Sequence, residues 1–416
     1  MPNWPTMPAA KVCKALFRTS TLLLACIPML GMRPAVGVIL LWVLSALLHR
    51  LLVRTERPAP DVRTFLFLAS PFLLMMLDLL RSSDPLAAWL IAERSSILAL
   101  APFAVFILRP PVDAGLRDRA VDVYAFASLA LALFANFNIF AHGLSADLPF
   151  AQAYRQQFSE ITRIHPPFGA YFFLLGALFM VERALRTQEK RKLRITIALL
   201  LTTAGALIAS RTPLIAFALA SLLVLWSHPE RKRALRLTAM LIGVLALLTV
   251  MIPSARQRAM EPFRTDLAIP VAGTSNSVSE RFVIAHCTME LLENNWLWGL
   301  GQAAVQPSLD QCYEQFNDPR YLNGSYSTHC QPLHWWLSFG IIGALLFTLT
   351  FVAPLRMAWE KNDARLAGFL LFVLVCCLTE NVLARQWGVV PYAFFLSLLS
   401  PSLIAGGRSA PARNQR

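Results

Sequence analysis

Charge is scarce in this chain of 416 residues: Asp, Glu, Lys and Arg make up 15% of it, against about 25% in a soluble domain. That excludes an ordinary soluble globular protein. The basic excess, 38 Lys+Arg over 24 Asp+Glu, is spread thinly between apolar runs. A nucleic-acid surface needs Lys and Arg gathered on one face, so no nucleic-acid partner is expected. The seven cysteines form no CxxC pattern, which gives no zinc or iron–sulfur site. No His/Asp/Glu cluster has metal-ligand spacing and no DxD-like or Walker pattern appears, so neither a metal nor a nucleotide cofactor is expected. No period of roughly 20 to 50 residues repeats, and a solenoid is not indicated.

What is plentiful is apolar side chain: AVILMFWYC residues make up 56% and mean hydropathy is +0.53. A bilayer core of about 30 Å takes roughly 20 apolar residues per helix. Twelve such runs occur, at 15–31, 35–52, 64–80, 86–108, 120–140, 166–183, 194–210, 212–227, 235–252, 335–357, 366–384 and 387–405. The expected fold is an all-α polytopic membrane protein of about twelve transmembrane helices, with one long outer loop between spans nine and ten. Residues 1–252 hold spans one to nine, 253–334 the loop, 335–405 spans ten to twelve, and 406–416 a basic tail. Charge tests this map independently, because basic residues favour the cytoplasmic side. With the N-terminus inside, 26 of the 38 Lys+Arg fall on the cytoplasmic side and 11 outside, with Arg94 inside a span. Both termini are therefore expected in the cytoplasm. Leu23-Leu24-Ala25-Cys26 is a poor lipoprotein cleavage box and reads as part of an uncleaved first helix.

Two outer segments are long enough to hold chemistry. The first, 141–165, carries Tyr154, Arg155, Arg163 and His165. The second, 253–334, carries Arg256, Arg258, Arg264, Arg281, His286, His329 and His334. Within it, Phe282, Ala285, Met289 and Leu292 fall at helical spacing, which predicts an amphipathic helix over 279–294 lying on the membrane face. His329 stands at or just before the tenth span, where Ser327 or Thr328 can cap and Pro332 suits a first turn. The positive end of the helix disfavours imidazolium there, leaving a neutral ring available as a general base. The plainer reading is an interfacial histidine beside Trp335 and Trp336. His334, five residues on, lies about 140° around the helix.

Arg211 occupies the shortest outer turn, where it is either a snorkelling anchor or a bidentate phosphate ligand. Arg281 opens the loop helix, as a phosphate ligand or a solvated surface charge. Glu93 and Arg94 interrupt the fourth span, and intramembrane charges usually face the bundle interior. Glu380 and Arg385 can pair across a turn at the outer end of the eleventh span. Cys287, Cys312 and Cys330 share the long loop, and a 312–330 disulfide is the preferred pairing because it would fix the backbone next to His329.

Three segments resemble one known family. SRTPLIAFALA at 210–220 is similar to a Ser-Arg turn opening a span. RFVIAHCTMELLENNWLWGLGQ from Arg281 is similar to an Arg-led helix running into an N-P-x-x-G-x-G-like turn, with Trp296 in place of Pro. HCQPLHWWLSFGIIG is similar to an H-N-x-x-L-x(6)-G-x-x-G motif, with Leu333 and Gly340 in register after His329 and Cys330 in place of Asn. Together they resemble the O-antigen ligase and polymerase superfamily of polytopic bacterial inner-membrane glycosyltransferases, over roughly 200–400 in sequence.

The resemblance implies an O-antigen ligase with a periplasmic active site. The glycan would pass from an undecaprenyl-diphosphate donor to the lipid A core acceptor, with membrane lipids as surroundings. His329 would be the catalytic base, Arg211 and Arg281 would hold the diphosphate, and Arg155, Arg163 or His165 would add contacts. Neither metal nor cofactor is implied. Two rivals stand beside it: a polymerase of the same superfamily, and a flippase or transporter of lipid-linked sugar. The latter has no use for a general base in an outer loop.

Overall fold

The computed structural model describes residues 6–53, 58–145, 147–227, 279–318, 320–321 and 326–400, with scattered positions between 235 and 260. In chain order the helices are α1 (Thr6–Ala25), α2 (Ile27–Leu30), α3 (Met32–Leu52), α4 (Val62–Asp78), α5 (Pro85–Arg94) and α6 (Ile97–Pro102), which runs on as a π turn over Phe103–Ile107. They continue as α7 (Ala114–His142), α8 (Phe150–Thr162), α9 (Pro166–Arg186), α10 (Arg191–Leu207) and α11 (Arg211–Trp226). Beyond residue 278 come α12 (Ser279–Asn295), α13 (Val305–Glu314), α14 (Gln331–Glu360), α15 (Ala364–Cys377) and α16 (Gln386–Leu399). No strand occurs among the described residues.

α3, α7, α9 and α14 are each long and apolar enough to cross a membrane, and α5 with α6, bent by 46°, makes a fifth if it counts as one span. α11, α15 and α16 are apolar but shorter. A helix or bent pair lies on every apolar run named above except 235–252, which is described only at scattered positions, all of them helical; Arg258, Arg264 and the tail 406–416 lie outside the described residues. Large apolar side chains such as Leu40, Leu44, Phe137, Phe140, Leu222, Leu345 and Leu349 are exposed. In water that surface would be costly; in a bilayer it is the outer wall. The chain is a multi-pass membrane protein.

α9 is the axis of the bundle, with nearly all of PPFGAYFFLLGALFMVERAL buried. A helix apolar on all sides must be wrapped by others, and α7, α10, α11 and α15 surround it. Glu93 and Arg94 do not turn inward. They stand exposed at the Ser95–Ser96 break between α5 and α6, beside an apolar groove bounded by α3 and α16.

A second, smaller core caps one end of the bundle. It joins Val283, Ile284, Cys287 and Leu292 of α12 to Val305, Leu309 and Tyr313 of α13 and Leu337 of α14. The helix predicted over 279–294 is present, but its buried stripe is Val283, Ile284, Cys287 and Leu292, while Ala285 and Met289 are exposed. The apolar partner lies on α13, so the stripe turns towards it. The preferred 312–330 disulfide is also corrected. Cys287 and Cys312 are joined, their Cα atoms 5.8 Å apart, and Cys330 is free. Packing of α12 on α13 brings the first two thiols together, whereas Cys330 is drawn away as the residue preceding α14.

α14 is broken at Gly340, whose φ is +66°. The carbonyls released at the break are taken up by the turn after α12: Leu300 N–H donates to Leu337 (2.7 Å) and Gly301 N–H to Ser338 (2.9 Å). Arg81, just past α4, donates to the carbonyls of Trp298 and Ser338 (2.5 and 2.7 Å). Buried Asp78 accepts from Arg81 and from Gln302 N–H. A Cβ on Gly340 would meet Leu297 O at 2.0 Å, and one on Gly299 would meet Gly340 N at 2.5 Å. The two glycines of these motifs thus allow backbone to cross backbone, and this clasp seats the cap on the bundle.

Candidate active site

α9, α11, α14 and α16 all begin at the end of the bundle that carries the cap. His165 precedes α9, Arg211 is the first residue of α11, Cys330 precedes α14 and Arg385 precedes α16. Each helix N-terminus carries about half a positive charge and unpaired N–H groups. Four converging on one region favour an anion before any side chain is counted.

His329 lies one residue outside α14, in the left-handed conformation at φ +44°. Neither Ser327 nor Thr328 caps the helix. Instead Thr328 Oγ1 bonds to the Cys330 carbonyl and to Asn381 (3.2 and 3.1 Å), and buried Gln331 accepts from Leu383 N–H at 2.8 Å. The turn after α15 is therefore stitched to the start of α14 on both sides of His329. Between these stitches His329 Nδ1 meets Glu380 Oε2 at 3.2 Å, and Glu380 Oε1 lies 3.6 Å from Arg281.

Burial alone would raise the Glu380 carboxyl. The hydrogen bond from His329 and the charges of His329, Arg281 and His165 outweigh it and hold the group below its usual range. An ionised carboxylate only accepts, so Nδ1–H donates and Nε2 is left as the basic nitrogen. The expected pairing of Glu380 with Arg385 is corrected: the carboxylate is spent on His329 and Arg281, and Arg385 is exposed. The ring is partly open, with 28% of the His329 side chain accessible.

The remaining predicted residues divide. His165 is exposed, and partial desolvation, with the charges of Arg155, Arg385 and His329, pushes the imidazole below its usual value despite Glu380. Arg155 approaches the Ile208 carbonyl at 3.5 Å. Arg211 is half-buried beside Thr212, which bonds to Thr379 next to Glu380. Thr212, Pro213, Pro167, Phe168, Val382 and Glu380 line a narrow crevice, about 10 Å³, at the N-terminal ends of α9 and α11 and the C-terminal end of α15. Arg163 is exposed at the end of α8, and among the described residues no hydrogen bond or ion pair ties it to the others. His334 lies in the first turn of α14, its Nδ1 without a partner.

Sequence reasoning underrated Glu380, Asn381 and Gln331. TENV was visible as a polar interruption at the end of an apolar run, but nothing in it indicated a contact 51 residues away. Searches of curated proteins give no match. Residues 196–348 match the family model described as O-Antigen ligase, a stretch that runs from α10 to the middle of α14 and takes in Arg211, Arg281 and His329. The segment that supplies the imidazole and two of the arginines is thus similar to the O-antigen ligase family.

Proposed function

We propose that the protein is an O-antigen ligase of the bacterial inner membrane, transferring glycan from undecaprenyl diphosphate to the lipid A core oligosaccharide on the periplasmic face. The observation that carries this reading is the His329–Glu380–Arg281 chain at the meeting of four helix N-termini. A base alone suits many reactions. A base ringed by arginines and helix ends suits one whose leaving group is an anion.

In this reaction the acceptor hydroxyl loses its proton to Nε2 of His329 while its oxygen attacks the anomeric carbon. The bond from that carbon to the diphosphate breaks, and the lipid diphosphate leaves with the electron pair. Glu380 fixes the ring through Nδ1 and steadies the imidazolium that forms, the role a carboxylate plays in hydrolytic triads. Arg211 and Arg281, with Arg155 and His165 in support, take up the charge developing on the leaving group, so the step needs no metal. One displacement inverts the anomeric centre. Both substrates are lipid-anchored, and confinement to one membrane face supplies part of the orientation.

The second reading is a polymerase of the same superfamily, which the family match equally supports. A strain lacking the protein separates them. The ligase reading expects polymerised glycan held on the carrier lipid and bare core, whereas single-unit capped core indicates the polymerase and donor retained on the cytoplasmic side a flippase. Complementation with His329→Ala is expected to restore protein level but not transfer, since a general base contributes about 10²–10⁴-fold. Near-normal transfer by this variant removes His329 from the mechanism.

A further inference from the structure

The helices that begin at the candidate active site end together at the opposite end of the bundle. The C-terminal ends of α9, α11, α14 and α16 and the N-terminal ends of α7 and α15 enclose an open cavity of about 550 Å³. We propose that this cavity binds the phosphate headgroup of an acidic phospholipid of the cytoplasmic leaflet.

Its floor is a network in which cations outnumber carboxylates. Asp118 is shared by Arg183, Arg186 and Arg365, Asp122 by Arg183 and Arg194, and Glu182 by Arg186 and Arg365. Four arginines thus divide three carboxylates. Arg117 and Lys361 add two more positive charges on the cavity wall, neither in an ion pair among the described residues. Asp363 there caps α15 through Leu366 N–H. Arg365 is the decisive residue. It is 8% exposed, its Nε and Nη1 hold Glu182 and Asp118 at 2.9 Å, and its Nη2 has no hydrogen-bond partner. A guanidinium N–H without an acceptor in the interior costs free energy, and a phosphate oxygen entering from Arg117 and Lys361 supplies one.

Leu185, Val224 and Leu399 form the apolar part of the same wall. Cations next to hydrocarbon suit an amphiphile better than a free anion, and basic pockets between membrane helices on the cytoplasmic side are recognised sites for lipid phosphate. The inference depends on the bundle's orientation in the membrane and not on glycan transfer, so it stands or falls separately from the ligase reading.

The test is native mass spectrometry with thermal unfolding of the purified full chain, using phosphatidylglycerol, phosphatidylethanolamine and inorganic phosphate as probes. Phosphatidylglycerol is expected to bind and raise the unfolding temperature, the zwitterionic lipid to do neither, and inorganic phosphate to act weakly. In Arg117→Gln/Lys361→Gln, affinity for phosphatidylglycerol should fall at least about tenfold, with the lipid-free unfolding temperature unchanged because neither residue belongs to the network. Equal binding of the two lipids, or of phosphatidylglycerol to both proteins, overturns the site. Stabilisation by phosphate alone with nothing further from lipid overturns the lipid assignment.

Discussion

A left-handed backbone at a non-glycine residue costs about 1–2 kcal/mol, and His329 carries it because Thr328 and Gln331 are tied to the turn that holds Glu380. The carboxylate then does two things: it fixes the tautomer and it links the base to Arg281. Replacing Glu380 by Gln should lower the transfer rate about 10- to 100-fold, the usual scale for losing a group that orients a histidine, measured in a reconstituted assay. The acid limb of the pH–rate profile should survive in that variant, because a carboxyl held below its usual range is not the group titrating there. Disappearance of the limb would assign it to Glu380 instead. For stability the sign follows from the same lowering. The contribution of Glu380 is complete above its unfolded value and is lost as pH falls through the lower folded one, so wild-type and Glu380→Gln unfolding temperatures converge on acidification. His329 was legible from its motif; Glu380 was not, because its partner is contributed by a different helix pair.

At the scale of elements, the short motifs shared with the superfamily turn out to be largely about fit. Gly299 and Gly340 let the turn after α12 lie against the break in α14, and the freed carbonyls are satisfied by that turn and by Arg81. Gly340→Ala forces a Cβ onto Leu297 O and a side chain into positive φ, so a loss of about 2 kcal/mol or more is expected, read as a lower unfolding temperature and faster proteolysis between 279 and 330. The cap is also closed by Cys287–Cys312, separated by 25 residues, a loop whose closure contributes about 3 kcal/mol. Cys287→Ser or Cys312→Ser should abolish the mobility difference between reduced and oxidised protein on gels and lower the unfolding temperature. Cys330→Ser should leave the mobility difference intact; its loss in that variant would restore the 312–330 pairing. The helix over 279–294 could be found from spacing, but its buried side could not, since its apolar partner is α13.

Over the whole molecule α9, α11, α14 and α16 are aligned so that their positive ends gather at the cap and their negative ends at the cationic cavity, while α7 and α15 run the other way. Arg211 and Arg281 should therefore tolerate Lys only in part and Ala hardly at all, since a point charge replaces a planar fork, while Arg163→Ala and Arg256→Ala, at exposed positions, should cost little. Equal sensitivity at all four, measured as transfer at matched protein level, would dissolve the case for specific diphosphate contacts.

Composition and the run of apolar segments by themselves determined that the chain is a helical membrane protein, because hydrocarbon length and charge asymmetry are properties of the sequence read locally. The three family-like segments likewise singled out His329, Arg211 and Arg281 as candidates. Only the tertiary structure decided that Glu380 serves His329, that Cys287 finds Cys312, that Glu93 and Arg94 face outward, and that a cation-rich cavity lies at the far end. Each of those is a contact between helices far apart in sequence, and no local pattern encodes which two faces will meet.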